Sequence, residues 1–381
     1  MASAPARSSH ISAGAIAPRP RPPEPGRLAA ALSRLFAGPL NTALTLASAM
    51  VLAALIWPTL RFLVLDAVWD GASRVDCLEE TVGRPVGACW PFIAARFDQF
   101  MYGFYPELQR WRVNAVYGLG LLLLAPLLIP AVPFKRLNAL AFFVAFPAFA
   151  YVMLVGGRLG LPYVETRVWG GMLITLVITY VGIVASLPLA VLLALGRRSD
   201  LPIISAMAIA FIEFWRGVPL VTVLFFATYM LPFFLPADWS IDALARVLIG
   251  VTLFSAAYLA EVIRGGLQAI PRGQLEGAAA LGLGYWKTMG LVVLPQALKH
   301  VIPGLVNSFI ALFKDTTLVL IVSMFDLLGQ IRSAFADPNW ATPVTVLTGF
   351  AFAGAIYFAV SFAMSRYALF MERRLNTDIR L

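Results

Sequence analysis

The stretch VWGGMLITLVITYVGIVASLPLAVLLAL, Val168–Leu195, contains no Asp, Glu, Lys or Arg. A helix rises about 1.5 Å per residue and needs about 20 apolar residues to cross a hydrocarbon core roughly 30 Å thick, so this run is long enough to span a membrane. Leu35–Leu60, Val113–Phe134, Leu137–Gly157, Gly217–Ala237 and Pro338–Ser365 read the same way, and Ile241–Ile263 and Val301–Phe325 are charge-interrupted versions. Lipid offers no partner to backbone N–H and C=O groups, and a barrel would need short alternating segments, so these runs cross as helices. The expected fold is an all-α polytopic membrane protein with about eight transmembrane helices.

Composition agrees: 60% of the 381 residues are hydrophobic and 13% charged, against about 25% charged in soluble domains. The net charge of +9 does not point to nucleic acid, because the basic residues are scattered at span ends and no recognition module is present. With a cytoplasmic start, Lys135, Arg136, Arg197, Arg198, Arg264, Arg272, Arg373 and Arg374 fall inside, the side that positive loops favour. Both termini then read as cytoplasmic.

Residues 1–34 read as a disordered cytoplasmic tail, with Pro18, Pro20, Pro22, Pro23 and Pro25 crowded together. Residues 35–157 hold three transmembrane helices around a long periplasmic loop, about 66–112. Residues 158–370 carry five more spans, with Leu201–Trp215 as a half-length or interfacial helix, and 371–381 form a cytoplasmic tail. Cys77 and Cys89 share the long loop; an oxidising compartment favours a disulfide, and two free thiols remain the alternative.

The largest cytoplasmic connection, about 265–298, holds Glu276-Gly277-Ala278-Ala279-Ala280-Leu281-Gly282 and, nine residues on, Val292-Val293-Leu294-Pro295. Pro271 suits a first helical turn and Gly282 a stop, so the pattern predicts a helix, a turn and a second helix. The alanines permit close backbone approach by a partner, and Tyr285 and Trp286 are large anchors of the kind that dominate interfaces. This stretch resembles the EAA motif of ABC importer permeases, with Gly277 in place of an alanine and Val292 in place of an isoleucine. Glu213-Phe214-Trp215-Arg216-Gly217-Val218-Pro219-Leu220, Ala257-Tyr258-Leu259-Ala260-Glu261 and Lys314-Asp315-Thr316-Thr317-Leu318 are similar to the polar amino acid branch of that family, and the added spans look like the larger permease subunit of general L-amino acid importers.

The resemblance implies a permease subunit, in a bacterial inner membrane, of an ATP-driven importer for broad-range amino acids, working beside a second permease that is a paralogue or an identical copy, two copies of an ABC ATPase and a periplasmic amino acid binding protein. Glu276, Gly277, Ala278, Ala279, Gly282, Leu294 and Pro295 would couple the ATPase to the spans. The chain itself would bind no cofactor and be no enzyme: ATP and Mg would sit on the partner, since no lysine follows a glycine as a phosphate-binding loop requires. Metal-ligand spacing is absent too. Lys314, Asp315, Thr316 and Asn307 are candidates for the substrate pathway or for a structural ion pair, because intramembrane charges serve both ends. Glu213 with Arg216 and Glu261 with Arg264 are spaced for local ion pairs and offer a gate or strut. An ion-coupled secondary transporter is the alternative, though no inverted repeat supports it.

Overall fold

A computed structural model of the chain describes residues 32–33, 35–236 and 239–375. The expected disordered tail, 1–34, falls outside these residues except for Leu32 and Ser33, as do 376–381 of the expected C-terminal tail. Among the described residues the regular elements are all helical. The described residues up to Phe62 and those from Leu63 onward form two compact units.

In the first unit, α1 (Pro39–Leu60) starts on Pro39, whose missing N–H costs nothing in a first turn, and none of its residues is buried. Its mean composition is that of a lipid-facing helix.

In the second unit, α2 (Trp90–Tyr102) is followed by α3 (Arg110–Leu128), α4 (Lys135–Val155), α5 (Gly171–Arg197) and α6 (Pro202–Gly217). Next come α7 (Leu220–Phe234), α8 (Ala243–Gln268), α9 (Arg272–Ala280), α10 (Tyr285–Val322), α11 (Leu327–Ala334) and α12 (Pro343–Leu375). Among the described residues of the chain seven helices, α1 included, are long and apolar enough to cross a membrane, or eight if the bent pair α6 and α7 counts as one span. Apolar side chains collect in three clusters: one around α5 and α8, one where α8 meets the start of α10, and one around α2 and α11.

Two spans differ from their sequence boundaries. The run Gly217–Ala237 is not a self-sufficient helix: α6 and α7 meet at 100°, because Val218 precedes Pro219 and is driven to extended backbone. The run Val301–Phe325 is the far part of α10, which begins at Tyr285 inside the 265–298 connection and is about 57 Å long at 1.5 Å per residue.

Prolines inside these helices are absorbed in a repeated way. Wide π turns at Ala141–Ala145, Phe226–Met230 and Met289–Val293 each end two residues before a proline, Pro147, Pro232 and Pro295. A proline ring collides with the carbonyl four residues back and supplies no N–H, so the turn opens and a carbonyl is freed. In lipid that carbonyl needs another donor. The Tyr180 hydroxyl donates to Phe142 O beside the first proline, and Arg246 Nη1 donates to Thr228 O, 2.8 Å, beside the second.

Residues 66–112 are a folded cap rather than an open loop. A disulfide joins Cys77 to Cys89. Ser73 and Asp76 form a reciprocal cap around Arg74–Cys77, and the backbone N–H groups of Ala72 and then Ser73 hold the Asp76 carboxyl below the usual carboxylate range. Arg112, at the foot of α3, is fully buried: it donates to Pro162 O at 3.1 Å and lies over the Tyr105 ring.

Asp326 caps α11. Its fully buried carboxylate accepts from Gly329 N at 2.9 Å and from the Tyr357 hydroxyl at 2.7 Å. Burial pushes its pKa up, and the Tyr357 and backbone hydrogen bonds pull less strongly downward. A carboxyl raised on folding contributes stability below its unfolded pKa and loses it as pH rises toward the folded pKa, so at neutral pH the charge is a cost. Asp326→Asn, which keeps an acceptor, is therefore expected to raise the melting temperature of detergent-solubilised protein at alkaline pH and to flatten its fall as pH rises above the ordinary carboxylate range. Asp326→Ala strands two buried donors and is expected to cost about 1–3 kcal/mol, read as a lower melting temperature at every pH.

Candidate coupling hairpin and the charged cluster behind it

Helix α9 ends in a Schellman arrangement. Leu283 N donates to Ala278 O at 3.1 Å and Gly282 N to Ala279 O at 2.9 Å, with Gly282 at φ 71°. Open space surrounds Gly282, so its left-handed backbone and not crowding demands glycine. Gly277 also has open space around it, which leaves this face of α9 bare for another backbone.

The hairpin has an inner and an outer side. Ala278 and Val293 are buried, and Leu275, Met289 and Leu294 pack against the buried cluster that includes Leu267, Ile270 and Val293. Gln296 donates to Gln274 Oε1 at 3.1 Å and joins the two arms. On the outer side Glu276, Gly277, Ala279, Ala280, Gly282 and Pro295 are exposed, together with Leu281, Tyr285, Trp286 and Leu291. Behind the hairpin α8 and α10 touch through glycines: a Cβ on Gly266 would lie 2.5 Å from Val301 and one on Gly304 would lie 2.9 Å from Val262. The same Cβ on Gly266 would lie 2.7 Å from Ala297 O, so backbone meets backbone there, and packing this close transmits displacement.

The two charge pairs form one network. Arg197 Nη1 donates to Glu213 at 2.8 Å and to Glu261 at 2.9 Å, while Arg264 grips Glu261 at 2.9 Å through Nη2. Arg216 stands 4.0 Å from Glu213 and 3.9 Å from Glu261. Three guanidinium groups thus share two carboxylates, and Glu261, 16% exposed, is the hub. Arg198 adds a bond to Leu267 O at 2.9 Å. Arg197 is the member that sequence spacing could not supply, because it reaches Glu261 from 64 residues away.

The four pathway candidates do not gather on one surface. Asn307 and Lys314 are exposed and seven residues apart, two turns along one face of α10. Asp315 is half-buried, and Thr316 is buried with its hydroxyl donating to Phe313 O at 2.8 Å. All four lie in the second half of α10, away from the hairpin.

Residues 186–377 match the family model described as binding-protein-dependent transport system inner membrane component. The chain is 50% identical over 90% of its length to the inner membrane amino-acid ABC transporter permease protein YhdY of Escherichia coli (strain K12), covering 91% of that protein. It is 39% identical over 98% of its length to the glutamate/glutamine/aspartate/asparagine transport system permease protein BztC of Rhodobacter capsulatus, covering 99% of it. A crystal structure of an amino acid ABC transporter with histidines aligns at a TM-score of 0.47 and 29% identity, covering 54% of this chain and 92% of that one. The chain belongs to the family of binding-protein-dependent transport system inner membrane components. It is a multi-pass permease subunit of the inner membrane and not itself an enzyme, which sets the ion-coupled alternative aside.

Removing the hub should unbalance the cluster. Glu261→Ala leaves Arg197, Arg216 and Arg264 with one carboxylate between them, and a loss of about 2–3 kcal/mol is expected, read as a lower melting temperature in detergent. Arg264→Ala leaves Glu261 its bond to Arg197, so a smaller loss is expected in the same measurement.

Proposed function

We propose that the chain is the membrane path of an ATP-driven amino acid importer, with substrate delivered by a periplasmic amino acid binding protein and ATP and Mg bound by a separate ATPase. The observation that carries this reading is the outer side of the hairpin: a face of Gly277, Ala279 and Ala280 flanked by exposed Leu281, Tyr285 and Trp286. Such a patch, bare of bulk at its centre and apolar at its rim, suits a groove on a partner. Its position at the foot of α10 gives a docked ATPase a rigid lever into the spans.

In this reading the hairpin, the charged cluster and both termini are cytoplasmic, and the disulfide-closed cap is periplasmic, where oxidation is sustained. Two ATPase copies meet two permeases, this chain and a paralogue whose surface completes the path. The relatives YhdY and BztC, named for amino acids or for glutamate, glutamine, aspartate and asparagine, support the substrate class and a broad range. Asn307 and Lys314 face the path between the permeases, where an ammonium and a hydrogen-bonding amide meet a substrate carboxylate, and Asp315 stands beside them for the substrate ammonium. The cluster of Glu213, Arg216, Glu261, Arg264 and Arg197 is the strut on which the hairpin rests.

The test is a Glu276→Lys variant co-expressed with its partners. Its surface position predicts normal folding, and uptake of a radiolabelled amino acid mixture should fall about tenfold or more together with the amount of ATPase recovered on purification in mild detergent. Normal uptake with normal ATPase recovery would overturn the docking role.

A further inference from the structure

The cap formed by residues 66–112 does more than cover one end of the bundle. Helix α11 is eight residues long, too short to hold its own conformation, since isolated helices below about 12–15 residues are marginal. Its place is therefore set by what packs on it. On one side stand α5 and α12: Leu327 N donates to Thr175 Oγ1 at 3.0 Å and Tyr357 holds Asp326. On the other stands the cap.

The cap contacts are of three kinds. Arg96 pairs with Asp337, and Gln99 donates to Gln330 Oε1 at 3.1 Å and to Ser333 Oγ at 3.2 Å. Phe92 and Phe100, both fully buried, pack into one cluster with Leu327 and Ile331. Backbone closes the rest: Arg74 N donates to Asn339 O at 2.8 Å and Cys89 N to Thr348 Oγ1 at 2.9 Å. At the junction a Cβ on Gly103 would lie 2.5 Å from Gly170, one on Gly171 would lie 2.1 Å from Phe100 O, and one on Gly170 would lie 2.3 Å from Gln330 Nε2. Three elements meet there with no room for a side chain, so none slides past another without losing the packing.

We propose that the cap is a permanent brace, with Arg96 and Gln99 as positioning residues that fix α11 as the pivot of α10. The hairpin lies at one end of α10 and α11 follows its other end after Ser323–Asp326. A rod driven at one end does useful work on the path between only if the other end is held. With the brace intact, a stroke at the hairpin swings α10, and with it Asn307 and Lys314, across the path. With the brace loosened, part of the stroke is spent moving α11 and ATP is hydrolysed without matching transport. This inference rests on the ATPase-docking reading above, and it assigns the cap a role in coupling rather than in substrate choice.

The test uses the full complex in proteoliposomes with its binding protein and a radiolabelled mixture of L-amino acids. Arg96→Ala with Gln99→Ala should lower substrate moved per ATP about fivefold, the low end for loss of a conformational coupling, with KM little changed. Exchange of the pair, Arg96→Asp with Asp337→Arg, should recover most of the ratio relative to Arg96→Asp alone, which a general loss of stability would not give. Gln99→Cys with Ser333→Cys, oxidised to a cross-link, should keep transport and its ratio to ATP, because the brace does not open. An unchanged ratio in the alanine variant, or transport stopped by the cross-link, overturns the proposal. If the alanine variant does not assemble, the cross-link alone decides. Failure of the docking reading shows separately, as Glu276→Lys leaving uptake intact.

Discussion

Everything in this chain answers to a medium that cannot hydrogen-bond to it. A backbone carbonyl left open in lipid costs several kcal/mol, so each interruption of a helix must be met by a side chain. Tyr180 serves the proline in α4 and Arg246 the one in α7. Lys135 does the same at the end of α3, where its ammonium donates to Pro126 O at 2.8 Å and Leu127 O at 3.0 Å. The donors come from neighbouring helices or from the next segment, so repairing one helix also fastens it to another. Local defects in this way become tertiary links.

The same accounting governs charge. Where carboxylates are available they are shared: Glu261 holds guanidinium groups from α5, α6 and α8 in one place, and a polar knot at the end of three helices keeps them aligned where the hairpin begins. Where none is near, the cation leans on carbonyls and rings. Arg112 donates to Pro162 O and lies 5.6 Å from the centre of the Tyr105 ring, and burial raises the pKa of that tyrosine despite the neighbouring positive charge.

The hairpin and the cap form the two ends of one mechanical element. Glycines bring α8 and α10 into backbone contact behind the hairpin, and glycines again bring α2, α5 and α11 together at the cap. Tight packing at both ends leaves α10 as a rod with few ways to absorb a displacement. Its π turn sits just before Pro295, close to the hairpin, where a wide turn permits a small change of angle without breaking the helix.

Much of this was legible in the chain itself. Apolar length decided that the protein crosses a membrane and crosses it as helices, because no other structure satisfies the backbone there. The spacing of Glu276, Gly282 and Pro295 marked the hairpin, since a left-handed stop favours glycine and proline tolerates only certain turns. Contacts distant in sequence were out of reach. Arg197 joining Glu261, Arg96 joining Asp337 and the bend between α6 and α7 depend on which helices lie side by side. A run of apolar residues states that a segment must be buried in lipid or protein; only packing chooses its neighbour, and with it the partner of every charge.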